Sequence, residues 1–578
     1  MAGVRSTVKT TLINPPQIFT KSQIGAGVTP PLGVAYLAAY LLAHDRPVQV
    51  IDALGEDPRQ LTPFRKNSYL RGLTLEQIVD KIDPDSRLVG ISNLFSFAYP
   101  AVEELCEMIH RRYPHKGIIL GGPHPSAYYK EILCQHPEVD YVAIGEEGEE
   151  TLLKLVMHLE GEAELDILSG IALRGEAGEP LVLKSTKRFE KLEQDSMPYP
   201  ARHLLPMENY IKAQEGHGPS TGRWTSILSS RGCPYGCTFC SSRRTKWIGR
   251  TARDVVDEME HCQRTWGIEE FHFEDDNMTI NTERLLSICD EIIQRKLRVR
   301  WQTPNGIRAS RTTEAMLRRM KDSGCMHITL APESGSPRVL KEIVQKGNDF
   351  SLEQLKACGE QGHKIGLKVA AYFILGMPGE TKEDIEMTIR YSRELATVGV
   401  DEVAFGLFIP LPGTPLWDAV ADMRTNFDFL DLLSIGDLSR AVSWSKHVSG
   451  DELHTLRRKA YLTFHLTRLF YHPIAFLRTL LNVVRNVEET KTERTLRQYL
   501  QRFSIKRKKY SEGDPQPLPA DQDLNAYPYD GVATIKVILQ NEAHYSYRHS
   551  LLKGIRLVKQ DILSSRLFRP TKNPDHEL

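Results

Sequence analysis

The sequence lacks the features of several familiar protein classes. No uncharged apolar run approaches the roughly 20 residues that a membrane-spanning helix needs. The N-terminal segment Met1–Lys9 has none of the apolar character of a secretory signal. Lysine plus arginine equals aspartate plus glutamate, at 74 residues each in a chain of 578, so no excess charge indicates a nucleic-acid partner. We therefore expect a cytoplasmic protein of about two or three domains that binds no nucleic acid.

Cysteine is scarce, and it forms only one cluster. Six of the nine cysteines are scattered singly in apolar or helical patterns, which is typical of buried, reduced thiols. Cys233, Cys237 and Cys240 instead lie within eight residues, without the second Cys-x-x-Cys pair or the histidine pair of a structural zinc site. An iron–sulfur cubane normally takes four cysteine thiolates. A loop with three favours a cluster that has one open iron, while a zinc site and a tight loop of inert thiols are the alternatives.

The spacing Cys-x-x-x-Cys-x-x-Cys resembles the signature of radical S-adenosylmethionine enzymes. The resemblance implies that Cys233, Cys237 and Cys240 hold a [4Fe–4S] cluster and that Phe239 packs beside the adenine of S-adenosylmethionine. In that family S-adenosylmethionine chelates the fourth iron, and one electron cleaves it to a 5′-deoxyadenosyl radical. The resemblance therefore also implies an oxygen-poor setting and an electron donor such as flavodoxin or ferredoxin.

Residues 1–160 alternate short apolar runs with helical patterns, which predicts a parallel, doubly wound α/β sheet. Ligands of such sheets bind beyond the carboxyl ends of the strands, where glycines and polar residues follow each predicted strand. The predicted strands are Lys9–Asn14, Val48–Asp52, Leu88–Asn93, Gly117–Gly121 and Tyr141–Ile144.

The order of these strand-end residues resembles the Rossmann-like cobalamin-binding domain that precedes one branch of the radical S-adenosylmethionine enzymes. The resemblance implies cobalamin contacts from Pro16, Asp52, Ser92, Gly121, Gly122, His124, Gly145, Glu146 and Glu149. Many such domains carry Asp-x-His-x-x-Gly, whose histidine binds cobalt, but residues 52–57 contain no histidine. The cobalt would therefore lack a protein imidazole ligand. A flavodoxin-like domain without a cofactor is the alternative.

Residues 161–210 are predicted to form a hairpin, Gly170–Lys187, and a proline-rich linker. Six strand–helix units in residues 211–425 then predict a partial β/α barrel of the TIM type, with its chemistry at the carboxyl ends of the strands. The predicted strands are Ser226–Ser230, Glu270–Glu274, Arg298–Gln302, Met326–Ala331, Lys368–Leu375 and Glu402–Phe408.

The resemblance places S-adenosylmethionine at these strand ends. Among the acids after the second barrel strand we favour Asp275, because it alternates in register with Phe271 and Phe273. Arg308 would pair with the methionine carboxylate, although an exposed salt bridge is an equal alternative. The implied contacts are Phe239, Asp275, Arg308, Glu333, Ser334, Gly376 and Glu380.

Residues 426–578 are predicted to be mainly helical. Residues 451–510 contain 14 lysines and arginines against five acids. This segment is interpreted as a cover for the barrel mouth or as a basic face toward an acidic substrate, a partner or a membrane surface. A solvated helical face is the alternative, so peripheral membrane contact stays an open question.

Together these features resemble the class B radical S-adenosylmethionine methyltransferases. The resemblance implies that methylcobalamin methylates an unactivated carbon, or phosphorus, of a small molecule such as a natural-product intermediate. One alternative is an oxidative ring-forming enzyme, such as the anaerobic magnesium-protoporphyrin monomethyl ester cyclase. Another is a non-catalytic cobalamin or redox-sensing module.

Overall fold

The computed structural model describes residues 7–20, 23, 27–145, 147–164, 168–175, 178–183, 197–437, 439–498 and 500. Among the helices in these ranges, none combines the length and the apolar character that crossing a bilayer requires.

The N-terminal half of the structure is built on a seven-stranded sheet of order β10-β9-β8-β7-β6-β1-β3, with a small sheet of order β2-β5-β4 beside it. The strands are β1 (Thr10–Asn14), β2 (Gln17–Thr20), β3 (Val48–Asp52), β4 (Leu61–Pro63), β5 (Ser68–Arg71), β6 (Leu88–Ser92), β7 (Gly117–Gly121), β8 (Tyr141–Ala143), β9 (Ile171–Arg174) and β10 (Pro180–Leu183). The helices are α1 (Leu32–Ala43), α2 (Ala53–Glu56), α3 (Leu75–Lys81), α4 (Tyr99–Arg112), α5 (Pro123–Gln135) and α6 (Gly148–Leu159).

The predicted doubly wound sheet is confirmed. Strands β3, β1, β6, β7 and β8 pair in parallel, and separate apolar clusters cover the two faces of the sheet. The predicted hairpin also forms, but β9 pairs antiparallel with β8 and so extends this sheet. The boundary at residue 160 stays a prediction, and this pairing favours a later one.

The second half is a partial barrel of six parallel strands in the order β11-β14-β15-β16-β17-β18. Its strands are β11 (Trp224–Ile227), β12 (Ser230–Arg231), β13 (Ile248–Gly249), β14 (Glu270–Phe273), β15 (Arg300–Ile307), β16 (Cys325–Glu333), β17 (Lys368–Leu375) and β18 (Glu402–Leu407), of which β12 and β13 form a separate ribbon. Its helices are α7 (Met207–Ala213), α8 (Ala252–Trp266), α9 (Thr282–Gln294), α10 (Glu314–Asp322), α11 (Leu352–Lys364), α12 (Lys382–Thr397) and α13 (Pro415–Ala419).

Two further helices, α14 (Gly450–Tyr471) and α15 (Pro473–Arg485), follow the barrel. Helix α14 does not cover the barrel mouth. Its apolar side chains, among them Leu453 and Phe464, join the core between the strands and the outer helices. Farther on, Arg494 donates to the backbone oxygens of Gly216 and Gly218, which closes the amino-terminal end of the barrel.

The carboxyl edge of the first sheet faces the barrel. The ring of Phe429, beyond the last barrel strand, lies 4.8 Å from the ring of His124 at the start of α5. A Cβ built at Gly413, in the loop after β18, would lie 3.0 Å from the Cβ of Ala127 on α5. The strand ends that carry the predicted cobalamin residues and the barrel loops therefore meet at one interface.

Candidate functional site

The cysteine loop has a fixed backbone. Gly232 has a φ of +81°, and a Cβ there would lie 2.2 Å from the backbone oxygen of Lys246, so only glycine fits. Thr245 holds Cys233 from both sides: its Oγ1 accepts from the Cys233 N–H at 2.7 Å, and its N–H donates to the Cys233 oxygen at 3.0 Å. All three cysteines are free and half-buried. A turn braced in this way fixes the backbone at the start of the cysteine loop before any ligand binds.

Two acids at the end of β14 attach this loop to the barrel. Asp275 is 2% exposed and accepts from the Ser229 N–H at 2.7 Å, from the Ser229 hydroxyl at 2.6 Å and from the Ser230 hydroxyl. Asp276 accepts from the Gly232 N–H at 3.1 Å and from the Ser242 hydroxyl at 2.7 Å. Burial raises the pKa of Asp275. The two carboxylates thus position the loop, and a contact of Asp275 with the methionine amine stays a prediction.

The thiols lie in a partly desolvated setting with cations nearby. Burial raises the pKa of Cys233 and of Cys237, and it raises the pKa of Cys240 to about 12. The charges of Lys346 and Arg308 oppose this shift at Cys237. Thiolates are the ligands of iron–sulfur clusters, so the two cations favour the form of Cys237 that binds iron.

No three His, Cys, Asp or Glu side chains in the described ranges converge on a point that could hold one metal ion. In a [4Fe–4S] cluster each thiolate binds a different iron, so the sulfurs need not converge. A half-buried loop with three free thiols fits a cluster, with its fourth iron left to another ligand.

The side chain of Arg308 is already engaged within the protein. It is 6% exposed, its Nε donates to Asp349 at 3.0 Å, and its Nη2 donates to the backbone oxygen of Lys346 at 2.8 Å. Its guanidinium lies 3.8 Å from the centroid of the Tyr235 ring, inside the cysteine loop. A salt bridge is therefore formed, but Arg308 is buried in it and not exposed as the alternative expected, and pairing with a methionine carboxylate stays a prediction.

Glu333 and Ser334, at the end of β16, have different surroundings. Glu333 has a φ of +62°, and its Oε1 lies 2.5 Å from the ammonium of Lys346. A left-handed glutamate is a strained conformation that often marks functional sites. Ser334 is fully buried and its hydroxyl lies 3.1 Å from that of Thr388 on α12. Glu333 is thus the better placed of the two for a ligand.

Gly376 and Glu380 form a closed turn after β17. Gly376 has a φ of +81°, and a Cβ there would lie 2.6 Å from Leu453 of α14. The Oε2 of Glu380 accepts from the N–H groups of Gly376 at 2.6 Å and of Met377 at 3.1 Å. Both residues therefore have structural roles in this turn, and their contacts with S-adenosylmethionine stay predictions.

Phe239 packs against an apolar cluster that includes Val339, Met377 and Phe408. Phe97, which follows strand β6 of the first sheet, packs against the same cluster. The cysteine loop and the carboxyl edge of the first sheet therefore share one apolar contact.

The cobalamin residues predicted on β1, β3 and β6 do not all face outward. Asp52 is 1% exposed; it accepts from Asn14 and from the hydroxyl of Tyr210 at 2.7 Å each, and burial raises its pKa to about 6. Pro16 is also buried, whereas Ser92 is half-buried. Asp52 thus links the first sheet to α7.

The loops after β7 and β8 are more open. Gly121 ends β7 half-buried, and Gly122, with a φ of +112°, is pressed against the backbone of Asn93. His124 is 2% exposed, its Nδ1 lies 3.0 Å from the Ser96 hydroxyl, and burial lowers its pKa to about 3. Gly145 has open space where a Cβ would point. Glu146 lies outside the described residues.

Glu149 joins the two halves of the protein. Its Oε1 lies 2.8 Å from the guanidinium of Arg231, which directly precedes the cysteine loop. The same guanidinium lies 4.7 Å from the centroid of the Tyr36 ring on α1. The predicted cobalamin domain is thus tied by an ion pair to the chain that holds the cluster.

Sequence reasoning missed three residues beside β6. Asn93 is 0% exposed, and neither its Oδ1 nor its Nδ2 has a hydrogen-bond partner within the described ranges. Leu94 and Phe95 follow it and are 58% and 53% exposed. Two large apolar side chains exposed at a ligand-binding edge fit a large, flat apolar ligand. Their place after a predicted strand was visible in the sequence, but their exposure was not.

The interior of the barrel, here called the lumen, has a lining that the sequence did not predict. Along β16 to β18 every second side chain belongs to the outer core, so the others face the interior. Near the carboxyl edge these interior residues are half-buried and mostly small: Ala331, Tyr372, Ile374, Ala404 and Gly406. Bulky side chains usually fill barrel interiors, so small ones leave room. The hydroxyl of Tyr372 is buried and has no hydrogen-bond partner among the described residues, and the ammonium of Lys491 lies 5.1 Å from the centroid of its ring.

Comparison with known proteins agrees with this geometry. Residues 227–392 match the radical S-adenosylmethionine superfamily, and residues 25–156 match the B12-binding domain. The chain is 30% identical to an uncharacterized methyltransferase of Pyrococcus horikoshii, over 79% of this chain and 93% of the relative. It is 31% identical to the cytidylyl-2-hydroxyethylphosphonate methyltransferase of Streptomyces wedmorensis, over 71% of this chain and 80% of the relative.

Two solved structures share the fold. The cobalamin-dependent S-adenosylmethionine radical enzyme OxsB, with aqua-cobalamin bound, superposes with a TM-score of 0.59 at 16% identity, over 96% of this chain and 84% of that one. The methyltransferase TsrM of Kitasatospora setae, with cobalamin and a [4Fe–4S] cluster bound, gives 0.56 at 18% identity, over 72% of this chain and 75% of that one. The chain therefore belongs to the radical S-adenosylmethionine enzymes that carry a cobalamin-binding domain, whose cofactors are a [4Fe–4S] cluster, S-adenosylmethionine and cobalamin.

Proposed function

We propose that the protein is a cobalamin-dependent radical S-adenosylmethionine methyltransferase that methylates an unactivated carbon, or phosphorus, of a small molecule. When bound, the cluster with S-adenosylmethionine supplies a 5′-deoxyadenosyl radical, and cobalamin supplies the methyl group. The observation that carries the proposal is the placement of the open edge of the first sheet against the cysteine loop. The Arg231–Glu149 ion pair and the hydrophobic side-chain cluster that contains Phe97 and Phe239 hold this edge and the cysteine loop together.

The protein side chains have separate tasks in this proposal. Cys233, Cys237 and Cys240 bind the cluster, while Asp275 and Asp276 hold their loop in place. A loop fixed before binding loses little conformational freedom when the cofactor arrives. The reacting groups are thereby kept at a constant separation, which favours transfer between them.

The substrate enters the lumen of the barrel in this proposal. Ala331, Ala404 and Gly406 leave space along the wall, and Ile374 gives an apolar contact. The free hydroxyl of Tyr372 donates a hydrogen bond to an acceptor on the substrate. Arg494 and the backbone oxygens that it binds lie at the amino-terminal end of the barrel, so we expect the substrate to enter from the carboxyl edge.

The proposed reaction consumes two molecules of S-adenosylmethionine and two electrons for each methyl group transferred. One molecule gives methionine and 5′-deoxyadenosine, which carries away the hydrogen of the substrate, and the other gives its methyl group and leaves S-adenosylhomocysteine. The electrons come from a low-potential donor such as flavodoxin or ferredoxin. Atoms and charge balance without any further oxidant.

The relatives favour methyl transfer over oxidative ring formation. The methyltransferases of Pyrococcus horikoshii and Streptomyces wedmorensis are 30% and 31% identical and are matched over 93% and 80% of their length. The anaerobic magnesium-protoporphyrin IX monomethyl ester cyclase of Rubrivivax gelatinosus is 28% identical and matched over 68%. Such cyclases therefore resemble this chain less completely.

The test is turnover of the anaerobically reconstituted protein with methyl-labelled S-adenosylmethionine and a chemical reductant. Cytidylyl-2-hydroxyethylphosphonate is the first substrate to try, followed by a panel of small metabolites. We expect a labelled product heavier by one CH2, with 5′-deoxyadenosine and S-adenosylhomocysteine in equal amounts. A product that loses hydrogen or gains oxygen would refute methyl transfer. Absence of 5′-deoxyadenosine with both metal cofactors loaded would refute catalysis.

A further inference from the structure

Helices α14 and α15 expose an apolar stripe that the proposed function does not use. The stripe consists of Phe470, Ile474, Leu477 and Leu481, which are 66%, 82%, 55% and 52% exposed. Ile474, Leu477 and Leu481 follow one another at intervals of three and four residues on one face of α15, and Phe470 lies at the end of α14. Tyr471, 52% exposed, lies beside it. Nothing in the described part of the chain covers these side chains.

The two sides of α15 are inverted relative to an ordinary surface helix. Its side toward the protein includes the polar residues Thr479 and Asn482, each 7% exposed. Its outward side carries the aliphatic side chains of the stripe. A surface helix normally turns its apolar face to the core, and contiguous exposed apolar patches mark interaction sites. The outward face of α15 is therefore built to contact an apolar phase.

The charge around the stripe is mainly basic. Residues 453–487 contain no aspartate or glutamate and six lysines and arginines. Two of these, Arg478 and Arg485, are exposed on α15 itself. Arg478 forms an ion pair with Glu489, whereas Arg485 forms none within the described ranges. In the sequence, five more basic residues occur in residues 502–509, again without an acid. Basic flanks around an apolar helix face are complementary to an anionic interface.

We propose that the apolar stripe docks α15 flat on an anionic lipid surface, with Arg485 at the level of the phosphates. Apolar side chains of this size enter the boundary of the acyl chains, while the arginine stays at the headgroups. A second copy of the chain fits less well, because a two-fold interface through the stripe offers no acidic group to Arg485. The protein binds the membrane peripherally. Helix α12 of the barrel packs against α14 and so connects the lipid-bound helices to the catalytic half.

The experiment is flotation of the full-length, cofactor-loaded protein with vesicles of phosphatidylcholine alone or of equal phosphatidylcholine and phosphatidylglycerol. The apolar variant is I474S/L477S and the charge variant is R485Q, which leaves the Arg478–Glu489 ion pair intact. The matched control is L42S/L181S, which changes two exposed leucines of the first half, 39% and 45% exposed. None of these residues belongs to the cysteine loop, to the predicted cobalamin contacts or to the lumen.

We expect wild type and control to float with the anionic vesicles and not with the neutral ones. The vesicle-bound fraction of I474S/L477S should fall at least tenfold, and R485Q should bind anionic vesicles several-fold less than wild type. Iron content and melting temperature should match wild type in all variants, because the altered side chains are exposed. High salt should weaken wild-type binding, since it screens the arginines.

Three results would overturn the proposal. The first is no flotation of wild type with anionic vesicles. The second is a wild-type dimer that I474S/L477S converts to a monomer, because the stripe would then be a self-association surface. The third is strong protection of residues 470–481 from hydrogen exchange in the free protein, because another segment of the chain would then cover the stripe. Vesicle binding does not depend on turnover, so this test stands even where methyl transfer fails.

Discussion

Glu380 gives the most quantitative prediction, because the turn after β17 buries its carboxyl group completely. Its Oε2 accepts two backbone N–H groups, while its Oε1 has no partner in the described ranges. Burial raises the pKa of Glu380 from 4.5 to about 8. The folded protein therefore favours the neutral carboxylic acid, which at pH 7 is the predominant form.

This raised pKa makes stability depend on pH in a defined direction. Below pH 4.5 the carboxyl is protonated in both the folded and the unfolded chain, and it contributes no pH dependence. As the pH rises, the unfolded chain releases the proton first and is favoured. Relative to its value below pH 4.5, the free energy of unfolding is lower by about 3 kcal/mol at pH 7 and by about 5 kcal/mol well above pH 8.

The perturbation that tests this reasoning is Glu380→Gln. The amide keeps an oxygen for the N–H groups of Gly376 and Met377 but cannot ionise. The difference in stability between variant and wild type should shift in favour of the variant by about 4 kcal/mol between pH 5 and pH 9. Urea unfolding followed by tryptophan fluorescence measures it, and the buried Trp224 and Trp301 contribute to the signal from the barrel.

The control is Glu383→Gln, which alters an exposed glutamate in the first turn of α12. It should follow the pH profile of wild type. If the free energies of unfolding of wild type and Glu380→Gln change with pH in parallel, the reasoning that Glu380 is buried as a neutral acid is refuted. The KM for S-adenosylmethionine answers a separate question: an increase of about tenfold in Glu380→Gln, with an unchanged fold, would support the predicted contact.

Three further predictions concern the cofactors. Cys237→Ala should abolish 5′-deoxyadenosine formation and lower iron content, whereas the exposed Cys134→Ala should behave as wild type; cleavage by the first variant would refute the cluster assignment. Asp275→Asn should lower the rate of 5′-deoxyadenosine formation roughly tenfold or more, since hydrogen bonds to a charged group contribute about 1.5–3 kcal/mol; an unchanged rate and iron content would refute its hold on Ser229 and Ser230. Cob(II)alamin in the protein should show no nitrogen superhyperfine splitting in electron paramagnetic resonance, and such splitting would reveal an imidazole ligand.

The sequence alone was sufficient to predict the longer strands in both halves of the protein. Buried parallel strands appear as continuous apolar runs, and Val48–Asp52, Gly117–Gly121 and Lys368–Leu375 were predicted with the bounds that the structure shows. The small sheet was missed, because strands of three or four residues, such as Leu61–Pro63, have too short a pattern to stand out. Helix α5 was not specified, because the run that begins with Gly121 and Gly122 was interpreted as a ligand-binding strand end.

The residues of the site were predicted less completely, because spacing indicates the face on which a side chain lies but not the neighbour that it binds. Asp275 was predicted to contact a ligand, but a long-range bond to Ser229, 46 residues away in the chain, occupies it. Arg308 likewise lies against Asp349, 41 residues away. Such pairings depend on how the strands come together, and a single sequence does not record them.

The residues that could contact a ligand fall into two groups, according to whether their buried polar atoms are already hydrogen-bonded within the protein. A buried polar group that is fully hydrogen-bonded within the protein can bind a ligand only by losing a bond, at a cost of about 1–3 kcal/mol. Asp52 and Arg308 are of this kind. Asn93, His124 through its Nε2, and Tyr372 instead have buried polar atoms without partners in the described ranges. A bound ligand would give these atoms hydrogen-bond partners. We therefore expect direct ligand contacts from Asn93, His124 and Tyr372, whereas Asp52 and Arg308 hold parts of the protein in their relative positions.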